Sequence, residues 1–85
     1  MNRKALIEKY ERHAHIAITS LYQAKCAEAL GAMYRQLDKI SPEFNPARLQ
    51  RQDEKREKFM KQHTRNQELA ERAWRKLGGT EEEHW

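Results

Sequence analysis

The positions of the two prolines and three glycines constrain this chain more than any other feature. Both prolines fall within residues 41–46, and two of the glycines are adjacent, at Gly78 and Gly79. Proline and glycine interrupt or end helices, so their scarcity elsewhere favours two long uninterrupted helices. The sequence therefore predicts an all-α protein, a long antiparallel helical hairpin with helices over about residues 4–40 and 47–77 joined by a corner at 41–46.

The corner contains residues that are typical of helix starts. Each proline can occupy the first helical position behind a Ser or Asn N-cap, as in Ser41-Pro42 and Asn45-Pro46. A second capping pattern at Thr64 leaves an alternative open, in which a third helix begins after a bend near Gln62. Glu–Lys and Glu–Arg pairs four residues apart favour helix on both sides of this suspected bend, but none spans it.

The length of 85 residues indicates one domain, residues 1–79, followed by a short acidic tail at 80–85. A monomer of this size buries only about 60–65% of the surface of its unfolded chain, so further stabilisation is expected. Cys26 is the only cysteine, and the four histidines are scattered, which excludes an internal disulfide and the four-ligand pattern of a structural zinc site. Partner chains are the remaining source of stability, so we expect a homodimer or a larger protein complex.

Several classes of function have no support in the sequence. There is no apolar run of about 18 residues and no signal-peptide pattern, which predicts a cytoplasmic protein that does not span a membrane. The chain has no Gly-rich phosphate loop and no nucleophile beside a base, so we expect no enzyme, no metal, no cofactor and no small-molecule substrate. The net charge is +4, with acidic and basic residues interleaved along the chain.

The first helix carries a continuous apolar stripe at intervals of three and four residues, which predicts a core-facing surface and a buried thiol at Cys26. The members of the stripe are Ile7, Tyr10, Ala14, Ile18, Tyr22, Cys26, Leu30, Met33, Leu37 and Ile40. A second stripe beside it contains small residues that would allow another helix to approach closely. These are Ala17, Ser20, Ala24, Ala27 and Gly31. Together the two stripes are wider than one partner helix requires.

The second helix cannot cover the large apolar residues near the corner. It has no apolar residue from Gln50 to Lys58, and antiparallel pairing would place Met33 near Asp53. Leaving several such side chains in water would be costly, so a second chain is expected to cover them. The predicted protein interface consists of Leu30, Met33, Tyr34, Leu37, Ile40, Phe44 and Leu49.

Two further features carry alternative predictions. A basic face on the second helix is formed by Arg48, Arg51, Lys55, Lys58 and Arg65. It would extend about 26 Å at 1.5 Å per residue and could follow a nucleic-acid backbone, although an ordinary solvated face or an acidic protein partner would also explain it. The acidic tail could dock through Glu82 and Trp85 into a basic apolar pocket, against the usual fraying of chain ends.

The sequence thus supports two functional hypotheses. The first is a small non-enzymatic interaction protein, a regulator, inhibitor or adaptor, that dimerises or docks on a larger complex through the apolar face of its first helix. The alternative is a nucleic-acid-binding protein that uses the basic face of its second helix on the phosphate backbone.

Overall fold

The computed structural model describes residues 2–78, and this part of the chain contains two long helices and no strand. Helix α1 spans Arg3–Ile40 and helix α2 spans Ala47–Lys76. The helices are antiparallel. The start of α1 therefore lies beside the end of α2, where Arg3 Nη1 donates a hydrogen bond to the carbonyl of Leu77 at 3.3 Å. The predicted all-α helical hairpin is therefore confirmed. Its Cα atoms span 59 × 21 × 12 Å, so the molecule is a single layer one helix thick.

The helix ends are held by local hydrogen bonds. At the start of α1 the side chain of Asn2 accepts from the backbone N–H of Ala5 at 2.8 Å. Before α2, the side chain of Asn45 accepts from the N–H of Ala47 at 3.0 Å, and Pro46 is already in the helical conformation. Pro46 is thus the N-cap of α2, one residue later than predicted, and the Asn45 side chain supports the turn just before the helix.

The corner between the helices is one tight turn. The carbonyl of Ser41 accepts from the N–H of Phe44 at 3.2 Å, and Ser41 Oγ donates to Glu43 Oε2 at 2.8 Å. This hydroxyl, together with the backbone N–H of Glu43 itself, lowers the pKa of the Glu43 carboxyl below its ordinary value. The side chain of Glu43 thus favours its ionised form at the corner.

Helix α2 runs without a break through the segment around Thr64, so the alternative of a third helix is wrong. Two side chains in this segment face α1 and hydrogen-bond across the hairpin. His63 Nδ1 lies 2.8 Å from the carbonyl oxygen of Ala17, and His13 Nδ1 lies 2.9 Å from Asn66 Oδ1. Because both acceptors are oxygens, each imidazole carries its hydrogen on Nδ1. These cross-helix hydrogen bonds help to keep the segment helical, although its residues also match the capping box that begins a new helix.

The two helices pack through their small residues. On α1 the buried positions are Leu6, Ala17, Ser20, Ala24, Ala27 and Gly31. On α2 they are Ala70 and Ala73. No large side chain is fully buried in the described chain. We call this line of contact the alanine seam. It brings the helix backbones close together, because the separation of packed helices is set by the side chains at the contact.

The predicted core-facing stripe of α1 is wrong in its middle part. Ile18 and Tyr22 are exposed, and Cys26 is exposed where a buried thiol was expected. Nearer the corner, the exposure of Met33 agrees with the prediction, because the segment of α2 from Gln50 to Lys58 has no apolar side chain to cover it. The helices instead meet through the small-residue stripe, which permits a close approach without large apolar partners.

The pairing register near the corner is close to the predicted one, since Asp53 approaches Gly31 and Arg35, on either side of Met33. Leu49 faces the seam, where a methyl group placed on Gly31 would lie 3.8 Å from Leu49 Cδ1. Aromatic pairs pack near the two ends of the hairpin. Tyr10 and Trp74 have ring centroids 5.5 Å apart near the open end, and Tyr34 and Phe44 are 5.4 Å apart at the corner.

Candidate interaction surfaces

The outer face of α1 is an apolar surface that points away from α2. We define it by seven exposed residues between Ile18 and Ile40. They are Ile18, Tyr22, Cys26, Leu30, Met33, Leu37 and Ile40. Ile40 is 82% exposed, Tyr22 71%, Met33 66% and Ile18 57%, whereas Ala17 and Ala70 in the seam are fully buried. The usual arrangement of a helical protein is inverted, with small residues inside and large apolar residues outside.

From Cys26 to Ile40 the outer face has no charge on it. The charged residues of this part of α1 lie on other sides of the helix, as successive residues are turned by about 100°. Arg35, for example, reaches across to Asp53 of α2 at 3.0 Å. Lys25 lies at the edge of the outer face beside Ile18, so the uncharged apolar strip begins at Cys26.

The structure separates the predicted interface residues into two groups. Leu30, Met33, Leu37 and Ile40 lie together on the outer face. The other three are half-buried within the hairpin. These are Tyr34, Phe44 and Leu49, of which the first two stack on each other and the third faces the alanine seam.

Sequence reasoning assigned three outer-face residues, Ile18, Tyr22 and Cys26, to the core. Both stripes of α1 are apolar, so the sequence pattern alone does not show which of them contacts α2.

A basic flank lies on one side of α2, next to the outer face of α1. It consists of the five predicted cations, all exposed. They are Arg48, Arg51, Lys55, Lys58 and Arg65. A groove that is lined by Cys26 and Leu30 from α1 and by Lys55 and Phe59 from α2 connects the two surfaces. The apolar and basic surfaces are therefore continuous over the middle of the hairpin.

None of the five cations pairs with a carboxylate of the described residues, although other cations of the hairpin do. Asp53 bonds Arg35 at 3.0 Å, and Glu57 bonds Lys61 at 3.4 Å. Asp53 and Glu57 project from other sides of α2, whereas Glu54 lies beside Lys58 at the edge of the basic flank without pairing with it. Lys58 instead lies 5.8 Å from the centroid of the neighbouring Phe59 ring.

Other kinds of site find little support between residues 2 and 78. No group of three or more His, Cys, Asp or Glu residues is placed to hold a metal ion. Within the same range, neither helix is long and apolar enough to cross a membrane. The predicted docking residues Glu82 and Trp85 lie outside the described residues.

No protein-family model, curated protein or solved structure matches this chain. The outer face of α1 and the basic flank of α2 are the two surfaces of the described chain that bear on its function.

Proposed function

We propose that this chain is a non-enzymatic interaction protein, a regulator, inhibitor or adaptor, and that another protein chain covers the outer face of α1. The observation that carries the proposal is the inverted distribution of apolar side chains. The hairpin buries alanines, while Tyr22, Met33 and Ile40 are mostly exposed to water. Contiguous apolar surface of this kind marks interaction sites in soluble proteins.

The energetics of the isolated hairpin support the same conclusion. A buried methyl or methylene group contributes about 0.8 kcal/mol, whereas a fully buried Leu, Ile or Met contributes about 1.5–3 kcal/mol. Tyr22, Met33 and Ile40 keep more than half of their surface exposed, so the hydrophobic free energy of these side chains is largely unused. A partner on the outer face would recover it. Tyr22 and Met33 belong to residue types enriched in protein interfaces.

Site-specific photo-crosslinking in cells tests this proposal. A photoreactive phenylalanine analogue replaces Tyr22, whose ring is 71% exposed, and the matched control carries the same analogue in place of exposed Glu54 on α2. We expect a discrete protein adduct from the position of Tyr22 and none from that of Glu54. The analogue is also placed at Met33 in a second variant. If neither the position of Tyr22 nor that of Met33 gives an adduct, the proposal is overturned.

A second candidate function, binding of a nucleic-acid backbone, is favoured by the lack of ion pairs on the basic flank. Five exposed cations at helical spacing extend over about 26 Å, and no carboxylate within the described chain neutralises them. Each phosphate contact would release a counterion, so log Kobs would fall with log salt by about 0.9 per contact on duplex DNA. Contacts from all five cations would give a slope of about −4.5.

Fluorescence anisotropy with a labelled duplex tests this candidate. The variant Arg51→Gln/Lys55→Gln/Lys58→Gln removes three charges from the basic flank. The control Lys25→Gln/Arg35→Gln/Lys61→Gln removes the same net charge from cations that are paired elsewhere. We expect the flank variant to lose affinity and salt slope, while the control keeps most of both. Equal losses would show attraction by net charge alone and would rule out a site on the flank.

A further inference from the structure

We infer that the chain covering the outer face of α1 is a second copy of this protein. Two hairpins would pack with α1 against α1, and the two α2 helices would lie on the outside of a four-helix assembly. This inference rests on the proposed role of the outer face, and it goes further by naming the occupant. Three observations support it: the exposed area, the absence of charge, and the spacing of the residues.

The chain exposes more area than a compact monomer of its mass. The chain exposes 6581 Å². A compact monomer of 10.2 kDa would expose about 5,300 Å², so the hairpin has an excess of about 1,300 Å². A standard interface removes about 800 Å² from each partner. The excess is therefore large enough to supply one copy's share of a standard dimer interface.

The outer face is also compatible with itself. In a two-fold dimer the same patch occurs on both copies, so a charged patch would meet its own charge across the interface. The outer face has no charge from Cys26 to Ile40, because Arg35, Asp38 and Lys39 are turned to other sides of α1. The basic flank would repel its own copy. An acidic or basic partner would have no charge to recognise on the outer face itself.

The residue spacing on the outer face is that of a helix-to-helix seam. From Cys26 to Ile40 the side chains follow each other at intervals of four, three, four and three residues, through Leu30, Met33 and Leu37. This is the spacing of the a and d positions of a coiled coil, where each side chain inserts between four residues of the facing helix. The hairpin is one helix thick, and a second copy supplies the second layer that a domain needs around its core.

Sedimentation equilibrium of the purified, nuclease-treated chain tests the inference. We expect a mass of twice 10.2 kDa that falls to the monomer mass on dilution. Met33→Gln/Leu37→Gln should raise the dissociation constant at least about a hundredfold, because each side chain is lost from both copies. The matched control is Ile7→Gln, the same type of change on α1 outside the charge-free segment, and it should leave the constant within about threefold.

A second measurement keeps the test valid if the double variant unfolds. The thermal unfolding midpoint of the unchanged chain should rise with chain concentration, since assembly stabilises only the folded state. Each copy carries a net charge of +4, so added salt should maintain or strengthen the assembly. An assembly that dissociates as salt rises would be held by residual nucleic acid and would overturn the inference.

The inference and the proposed function can fail separately. A chain that stays monomeric at high concentration, while the position of Tyr22 still crosslinks to a different protein in cells, would overturn the second copy but leave the interaction role. A monomer without any crosslink would overturn both. A crosslinked adduct of twice 10.2 kDa, containing only peptides of this chain, would support both.

Discussion

Replacing Gly31 with alanine is expected to stabilise the hairpin, although this glycine lies in the alanine seam. A Cβ atom at this position would lie 3.8 Å from Gln52 Cβ, 3.8 Å from Leu49 Cδ1 and 3.9 Å from Asp53 Oδ1. All three are ordinary van der Waals distances, so the added methyl group fits without displacing α2. The backbone of Gly31 does not have a positive φ, so no conformation that needs glycine is lost.

The magnitude follows from helix propensity. Alanine is more favourable than glycine inside a helix by about 0.8–1.0 kcal/mol, and the new contacts at Gly31 should add slightly to this. For a chain of this size the gain corresponds to a rise of about 4–8 °C in Tm. Urea denaturation followed by circular dichroism would measure it at one fixed chain concentration, because assembly also changes apparent stability.

The control for Gly31→Ala is Ala32→Gly, the reverse change at the next position, which is exposed. It should cost about 1 kcal/mol from propensity alone. If Gly31→Ala raises the free energy of unfolding by at least as much as Ala32→Gly lowers it, the seam has room for the methyl group. A loss of stability in Gly31→Ala would refute the reasoning, since it would mean that the helices approach more closely than the distances at Gly31 indicate.

Three further predictions concern polar contacts. His63→Leu should lower the free energy of unfolding by about 1–3 kcal/mol, because the carbonyl of Ala17 loses a donor, and unchanged urea denaturation would contradict this contact. Asn45→Ala should cost about 0.5–2 kcal/mol, and Asn45→Ser about none, in the same assay. Ser41→Ala should raise the pKa of Glu43 toward its ordinary value in a carboxyl NMR titration, and an unmoved pKa would exclude the Ser41 hydroxyl as its cause. Because the folded-state pKa of Glu43 is lowered, its stabilising contribution is present above the unfolded-state pKa and is lost as pH falls through the folded-state pKa.

The two helices were predictable because their ends are local. The turn at Ser41, the Asn45 hydrogen bond before α2 and the left-handed glycine at Gly78 depend on neighbouring residues alone, and the structure has Gly78 at φ 93°. A sequence pattern carries such information directly.

The face by which the helices meet was not predictable in the same way. Both stripes of α1 are apolar, so hydrophobic periodicity could not choose between Ala17 and its neighbour Ile18. The choice of face depends on which side chains of α2 lie opposite α1 and on how closely the two helix backbones approach. Both are properties of the two helices together and cannot be read from α1 alone. The same cause explains the unbroken segment at Thr64, where the capping pattern is overridden by two hydrogen bonds across the hairpin, from His63 to the carbonyl of Ala17 and from His13 to Asn66 Oδ1.

The candidate interface was predicted in part. Leu30 and Met33 were correctly expected to be left uncovered by α2, since the charged composition of α2 was visible in the sequence. The half-burial of Tyr34 and Phe44 depends on their contact with each other at the corner, which needs the three-dimensional path of the turn. The exposure of Tyr22 could be inferred only after the structure had shown that α1 contacts α2 through the alanine seam.

The single corner of the hairpin also sets the order in which the fold can form. Tyr34 and Phe44 are separated by a short loop, whereas Arg3 and Leu77 are 74 residues apart. Loop closure costs more entropy as the loop lengthens, so pairing should start at the corner and propagate toward the open end. Backbone amides around the pair of Tyr10 and Trp74 should therefore become protected from hydrogen exchange last during refolding, and lose protection first when the native protein opens.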